Sequence, residues 1–216
     1  MTARDEALRH FKRHDPRFFA ATKPHHGALA PALAGKRTRK DLFSALVSIV
    51  VSQQLGVAAA DSIFKRVREA CGGALTPESI LEARDATLRA AGLSAAKVKT
   101  LKAIAEEVKA DRIDLISLRR DSVLEATAKL VAIWGLGPWS AEMFLIFAAG
   151  HPDIFSPGDL ALVRAAERIY GLDKGDRTSL LAIAEKWSPY RTWACLLLWK
   201  SYRATPLPAA ASGRHR

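Results

Sequence analysis

Apolar residues in this chain recur at helical spacing or gather in short blocks, and nowhere do they alternate with the period of two that a strand requires. The block 41–51, DLFSALVSIVV, is apolar almost all round, which predicts a helix buried on every side with Asp41 as its cap. Ser52-Gln53-Gln54-Leu55-Gly56 interrupts it, and a second helix follows from Val57 through Arg68. Thr76 and Pro77 stand in cap and first-turn order, Asp85 opens a short helix stopped at Gly92, and a long helix covers Ala95–Lys109. Val123, Leu124, Thr127, Leu130 and Val131 share one face of a helix expected to run to Gly135. Further helices are expected over 139–149, 160–170, 179–187 and 192–203, with one more around Leu8 and Phe11 ending at Asp15-Pro16. Residues 22–39 read as a loop. The pattern predicts an all-α fold, without internal repeats or a Gly-rich nucleotide fingerprint.

Chemistry concentrates in residues 129–164, KLVAIWGLGPWSAEMFLIFAAGHPDIFSPGDLALVR. Gly135 and Gly137 permit backbone angles that a Cβ resists, and Pro138 suits the first turn of a new helix. Residues 133–138 therefore form a tight hairpin between two helices, with Leu136 expected to fill the gap between them. The unpaired first amides of the second helix can hold a phosphate, although an ordinary tight turn accounts for the same residues equally well. Asp159, in Ser156-Pro157-Gly158-Asp159, sits immediately before a helical run, where an N-cap is the commoner reason for an aspartate. Gln53 and Gln54 are expected to cap helix ends at their junction.

Charge narrows the partners. Thirty-three Lys and Arg against 22 Asp and Glu leave +11, which favours a polyanion. The run Lys36-Arg37-Thr38-Arg39-Lys40 reads as a solvated linker in preference to a phosphate contact, and Lys97, Lys99 and Lys102 as solubilising charges. No apolar run is long enough for a membrane span, and the charged opening MTARDEALRHFKRHDPRFF has no signal-peptide core. The expectation is a soluble, intracellular, cytoplasmic monomer without membrane contact. Cys71 and Cys195 lack CxxC or His-Cys ligand spacing, so two reduced thiols are expected rather than a zinc or iron–sulfur site.

IWGLGPWSAEMF from Ile133 and GDLAL from Gly158, in that order and spacing, resemble the helix-hairpin-helix and Gly/Pro-Asp signature of the base-excision DNA glycosylases. Within that superfamily the chain is most similar to the alkylpurine branch, DNA-3-methyladenine glycosylase II. LVSIVVSQQLGVAAADSIFKRV from Leu46, LRAAGLSAAKVKTLKAIA from Leu88 and WSPYRTWACLLLWKSYRA from Trp187 agree, so the resemblance covers residues 41–204. It implies a single two-lobed unit over 1–204 with the active cleft between its lobes. One lobe is a central bundle over about 41–139, containing the hairpin; the other combines about 1–35 with 145–204. A disordered tail follows at 205–216, and the form is the short one, lacking the extra N-terminal domain of larger bacterial relatives.

The same resemblance implies excision of alkylated purines of the 3-methyladenine and 7-methylguanine class from duplex DNA, leaving an abasic site. It places the catalytic carboxylate at Asp159 and the base pocket at Trp139, Met143 and Trp199. DNA contacts fall to Gly135, Leu136, Gly137, Gln53, Gln54 and Leu55, with Gln54 preferred over Leu55 as the side chain that fills the hole left by a flipped nucleotide. No cofactor is required; a structural Na⁺ or K⁺ is expected on the backbone carbonyls of Ala132, Trp134 and Gly137. Glu142 is read as structural. Trp139 stands where bifunctional relatives carry a lysine nucleophile, which implies a glycosylase without lyase activity. The competing class is a helix-hairpin-helix protein that binds damaged or distorted DNA without cleaving it.

Overall fold

The computed structural model describes residues 1–29 and 38–204; the expected tail, 205–216, and the pair Lys36-Arg37 lie outside the described residues. Among the described residues every regular element is helical. The α-helices are α1 (Ala3–His14), α2 (Pro16–Thr22), α3 (Arg39–Ser52), α4 (Val57–Ala70), α5 (Pro77–Glu82), α6 (Asp85–Ala90), α7 (Ala95–Lys109), α8 (Val123–Val131), α9 (Pro138–Phe144), α10 (Leu160–Tyr170), α11 (Arg177–Glu185) and α12 (Arg191–Ala204). The chain divides into two compact units, Met1–Pro31 with Phe155–Arg216 and Ala32–Ile154.

The Ala32–Ile154 unit is built on α3, which packs against α4, α7 and α9. Leu42, Phe43, Leu46, Val47, Val50 and Val51 are all buried, as a helix apolar on every side requires. The helix begins two residues before the predicted start. The Thr38 hydroxyl accepts from the Asp41 amide at 3.2 Å while the Asp41 carboxylate accepts from the Thr38 amide at 2.9 Å, so Asp41 is the third residue of a capping box and not the cap itself. Arg39, expected in a solvated run, instead donates to the Val108 carbonyl at 2.7 Å.

Two expectations for the stretch around the hairpin need correcting. The face of α8 that packs is Ala126 and Leu130, whereas Val123, Leu124 and Val131 are exposed, Leu124 by 81%. Spacing of three and four fits both stripes; packing against neighbouring helices, α9 among them, buries the one that holds Ala126 and Leu130. The helix also ends at Val131 rather than at Gly135, because Ile133 donates three residues back to Leu130 at 3.1 Å and tightens the last turn. After α9 the chain widens into a π-helical turn over Leu145–Ala149, closed by the Gly150 amide donating five residues back to Leu145 at 2.9 Å.

In the other unit α12 packs on α10 and α2, and its residues Thr192 to Leu198 are buried. Phe11, Phe18 and Trp187 are fully buried, with Phe18 4.9 Å from Trp187 and 5.2 Å from Phe11 between ring centroids. A carboxylate lies among these rings: Asp15, which the sequence marks only as a turn residue, is 5% exposed. It caps α2 by accepting from the Phe18 amide at 3.0 Å, and its second oxygen accepts from Trp187 Nε1 at 3.0 Å and from the Tyr170 hydroxyl. Burial pushes the Tyr170 phenol well above its ordinary range, and the bond to Asp15 pushes it the same way.

A raised folded-state pKa contributes stability that is complete below the unfolded value, about 10 for a tyrosine, and is lost as pH rises beyond it. Melting curves from pH 8 to 11 should show the loss setting in near pH 10. Tyr170→Phe should be less stable by about 1–2 kcal/mol at pH 8, since it leaves Asp15 one donor short, and should lose less on going to pH 11. Equal losses in both proteins would place the alkaline transition elsewhere.

Candidate nucleic-acid interface and its carboxylate

The hairpin between α8 and α9 is fixed by one glycine. Gly135 has φ +85°, and a Cβ there would stand 2.0 Å from Thr100 Oγ1 on α7, a residue that is itself 3% exposed. Gly137 is different. Its φ of −97° and ψ of 176° suit any residue, and a Cβ would meet nothing within 4 Å. The protein itself makes no demand for glycine there. The amides of Gly135 and Gly137 donate to no acceptor among the described residues, while Leu136, 4% exposed, fills the space beneath them. The hairpin thus presents backbone donors beside open space, which suits close approach of an anion's oxygens.

A second projecting turn joins α3 to α4. Leu55 donates to the Ser52 carbonyl at 3.2 Å, Gln53 has φ −52° and ψ 126°, and Gln54 has φ +57°. That is a type II turn with Gln54 where glycine or asparagine is favoured, a strain of about 1–2 kcal/mol. Gln54 is exposed, as are Leu55 and Val57 after it. Gln53, expected with its neighbour among the DNA contacts, turns the other way: its carboxamide donates to Ser140 Oγ at 2.8 Å and reaches the Gly135 carbonyl at 3.5 Å.

The lysines of α7 have more specific partners than solubilising charges need. Lys97 Nζ donates to the carbonyls of Val51 and Gln53 at 2.8 Å each, and burial lowers its pKa. Lys99 Nζ lies 4.1 Å from the centroid of the Trp134 ring, which is 47% exposed on the hairpin. Lys102 pairs with Asp85 at 2.6 Å. No local pattern points to the contacts of Lys97, which lie 46 and 44 residues away along the chain. Trp139 is half-buried at the start of α9, and Met143 is buried one turn on.

Asp159 belongs to the other unit. Its Oδ1 accepts from the Leu162 amide at 3.1 Å, so it does cap α10, and the same oxygen accepts from Trp199 Nε1 at 3.0 Å. The cap alone would leave the carboxylate to rotate; the indole of α12 fixes its plane. Trp199 is half-buried, unlike the core residues Trp187 and Trp193. The structure therefore groups the hairpin, the Gln53–Leu55 turn, Trp139 and Met143 in one unit, and Asp159 with Trp199 in the other.

An all-helical protein with a helix–hairpin–helix, followed by an aspartate at the head of the next long helix, defines a class of DNA-processing proteins. The chain belongs to the HhH-GPD superfamily of base excision DNA repair proteins, whose sequence profile matches residues 47–189. DNA-3-methyladenine glycosylase 1 of Schizosaccharomyces pombe is 34% identical over 167 residues, which are 76% of this chain and 73% of that protein. The crystal structure of a DNA-3-methyladenine glycosidase from Bacillus halodurans superposes with a TM-score of 0.74 at 35% identity, over 93% of this chain and 89% of that one. The S. pombe 3-methyladenine DNA glycosylase Mag1, in complex with abasic DNA, gives 0.74 at 29% identity, over 90% and 95%.

Proposed function

We propose that this protein is a monofunctional DNA glycosylase that flips alkylated purines of the 3-methyladenine and 7-methylguanine class out of duplex DNA and hydrolyses the N-glycosidic bond, leaving an abasic site. The observation that carries the reading is Asp159, a carboxylate held by the Leu162 amide and the Trp199 indole in a chain of this superfamily. The names of its relatives, which are 3-methyladenine glycosylases, supply the lesion class.

A purine methylated at N3 or N7 is a cation and departs as a neutral base, so its leaving group needs little acid assistance. The sugar becomes oxocarbenium-like, and a carboxylate beside C1′ stabilises it and orients the attacking water. Asp159 takes that role. The faces of Trp139 and Trp199 attract the cationic base, with Met143 contributing polarisable surface. Gln54, at the apex of its strained turn, fills the hole in the stack, with Leu55 beside it. The amides of Gly135 and Gly137, with Leu136 buried beneath, clamp the strand through phosphate oxygens without reading sequence.

The carbonyls of Ala132 and Trp134 accept no hydrogen bond among the described residues, whereas that of Gly137 accepts from Ala141 at 3.1 Å. With the negative end of α8 behind them, these oxygens fit a hard monovalent cation, Na⁺ or K⁺, which would stiffen the hairpin; no chemical step requires it. Trp139 offers no amine for a Schiff base, so strand cleavage is not part of the reaction. A duplex-DNA substrate supports an intracellular, DNA-associated protein; among the described residues no helix is long and apolar enough to cross a membrane.

Single-turnover incubation with methylated duplex tests the reading directly. Free 3-methyladenine or 7-methylguanine should appear, with strand breaks only after alkali, and duplex affinity should fall steeply as salt rises. Tight binding with no released base from any alkylated substrate would leave the non-catalytic DNA-binding class instead.

A further inference from the structure

Lys97, Gln53 and Ser140 form a continuous chain of hydrogen bonds that ties the turn after α3 to the helix behind the hairpin. The ammonium of Lys97 closes the end of α3 on the Val51 and Gln53 carbonyls at 2.8 Å each, where a helix leaves its last acceptors unpaired and its dipole favours a cation. Gln53 continues the path by donating to Ser140 Oγ at 2.8 Å, on a residue only 2% exposed in the first turn of α9. Among the described residues Lys97 forms no ion pair, so its charge is committed to backbone carbonyls. Directly after the anchored Gln53 stands Gln54 in the left-handed conformation, φ +57°. At the far side of the turn Gly56, the cap of α4, contributes no side-chain bond. The strained apex is thus held from one end, by α7 and α9.

We propose that Lys97 and Ser140 are positioning residues that act through Gln53 to hold the intercalating turn in its strained form and in fixed register with the phosphate-binding hairpin, so that both engage DNA as one rigid piece. The inference rests on the glycosylase reading and deepens it. Gln53 becomes a strut rather than a DNA contact, and the exposed side chains left to enter the stack are Gln54, at the apex of the turn, and Leu55. The ordering of the turn is completed during folding and does not have to be met again when the nucleotide is extruded.

Lys97→Met keeps the aliphatic stem and removes the donors; Ser140→Ala removes one oxygen from a buried site and tests the same path should Lys97→Met fold poorly. Three quantities separate positioning from general damage: affinity for undamaged duplex, single-turnover base release, and fluorescence of a 2-aminopurine placed beside an abasic analogue as a measure of unstacking. Each variant should keep undamaged-duplex affinity within about twofold and its melting temperature within a few degrees, while release and the unstacking signal fall together by about 10- to 100-fold. The double variant should be no worse than the poorer single one, since both cut the same path.

Release and unstacking within twofold of wild type in both single variants would overturn the inference. So would losses that multiply in the double variant, or losses matched by equal loss of affinity for undamaged DNA. Should the wild type release no base at all, the glycosylase reading fails separately, and the unstacking signal on abasic-analogue DNA still decides the role of Lys97 and Ser140.

Discussion

Asp159→Asn should reduce single-turnover base release by at least 10²–10³-fold, about 2.7–4 kcal/mol of barrier, while the protein stays folded and bound to DNA. The substitution isolates charge from structure. Asparagine presents an oxygen where Asp159 Oδ1 accepts from Leu162 N at 3.1 Å and Trp199 Nε1 at 3.0 Å, so both bonds are retained. Asparagine is also as good a helix cap as aspartate, and loss of the anion at the head of α10 weakens the dipole interaction by only about 0.3–1 kcal/mol. A melting curve within a few degrees of wild type beside a collapsed rate would identify the charge as the catalytic element. A rate close to wild type would reduce Asp159 to a cap of α10 and place the catalytic charge on another residue.

The second large effect is on folding, and it divides two glycines that look alike in the sequence. Gly135→Ala would force a Cβ into φ +85° at about 1–2 kcal/mol. It would also press that Cβ to 2.0 Å from Thr100 Oγ1 and 2.9 Å from Thr100 Cβ, an overpacking of about 1–3 kcal/mol against a buried side chain. The melting temperature should fall by on the order of 10 °C. At Gly137, with φ −97° and open space where the Cβ would go, alanine should change stability by less than about 1 kcal/mol. Its methyl would nevertheless occupy the open space beside the Gly137 amide, where a phosphate is expected to approach, so Gly137→Ala should weaken binding to damaged and undamaged duplex alike. Thermal melts of both variants with a filter-binding titration of Gly137→Ala check this pair; equal stability of the two would mean that Thr100 does not confine the hairpin.

Local chemistry was enough to mark most of the elements. Gly92 and Ser94 bracket the start of α7, Asp159 and Gly171 bracket α10, and the helix over Ala95–Lys109 begins and ends where the sequence predicts, because capping side chains and left-handed glycines act within one turn of themselves. The order and spacing of the hairpin and the Gly158-Asp159 pair likewise marked the superfamily. The face of α8 was not legible: two stripes satisfy the same periodicity, and the packing surface of α9 chooses between them. Nor did the sequence distinguish Gly135 from Gly137, since the difference is the position of Thr100 on α7. Lys97 and Asp15 looked like a surface charge and a turn residue. They are structural because carbonyls of α3 and donors from Trp187 and Tyr170 arrive from 44 to 172 residues away. By itself the sequence determined where helices start, stop and turn, because those preferences depend on backbone angles and near neighbours. Tertiary structure decided which polar side chains meet, since burial makes a donor seek whichever acceptor the packing brings within 3 Å, irrespective of distance along the chain.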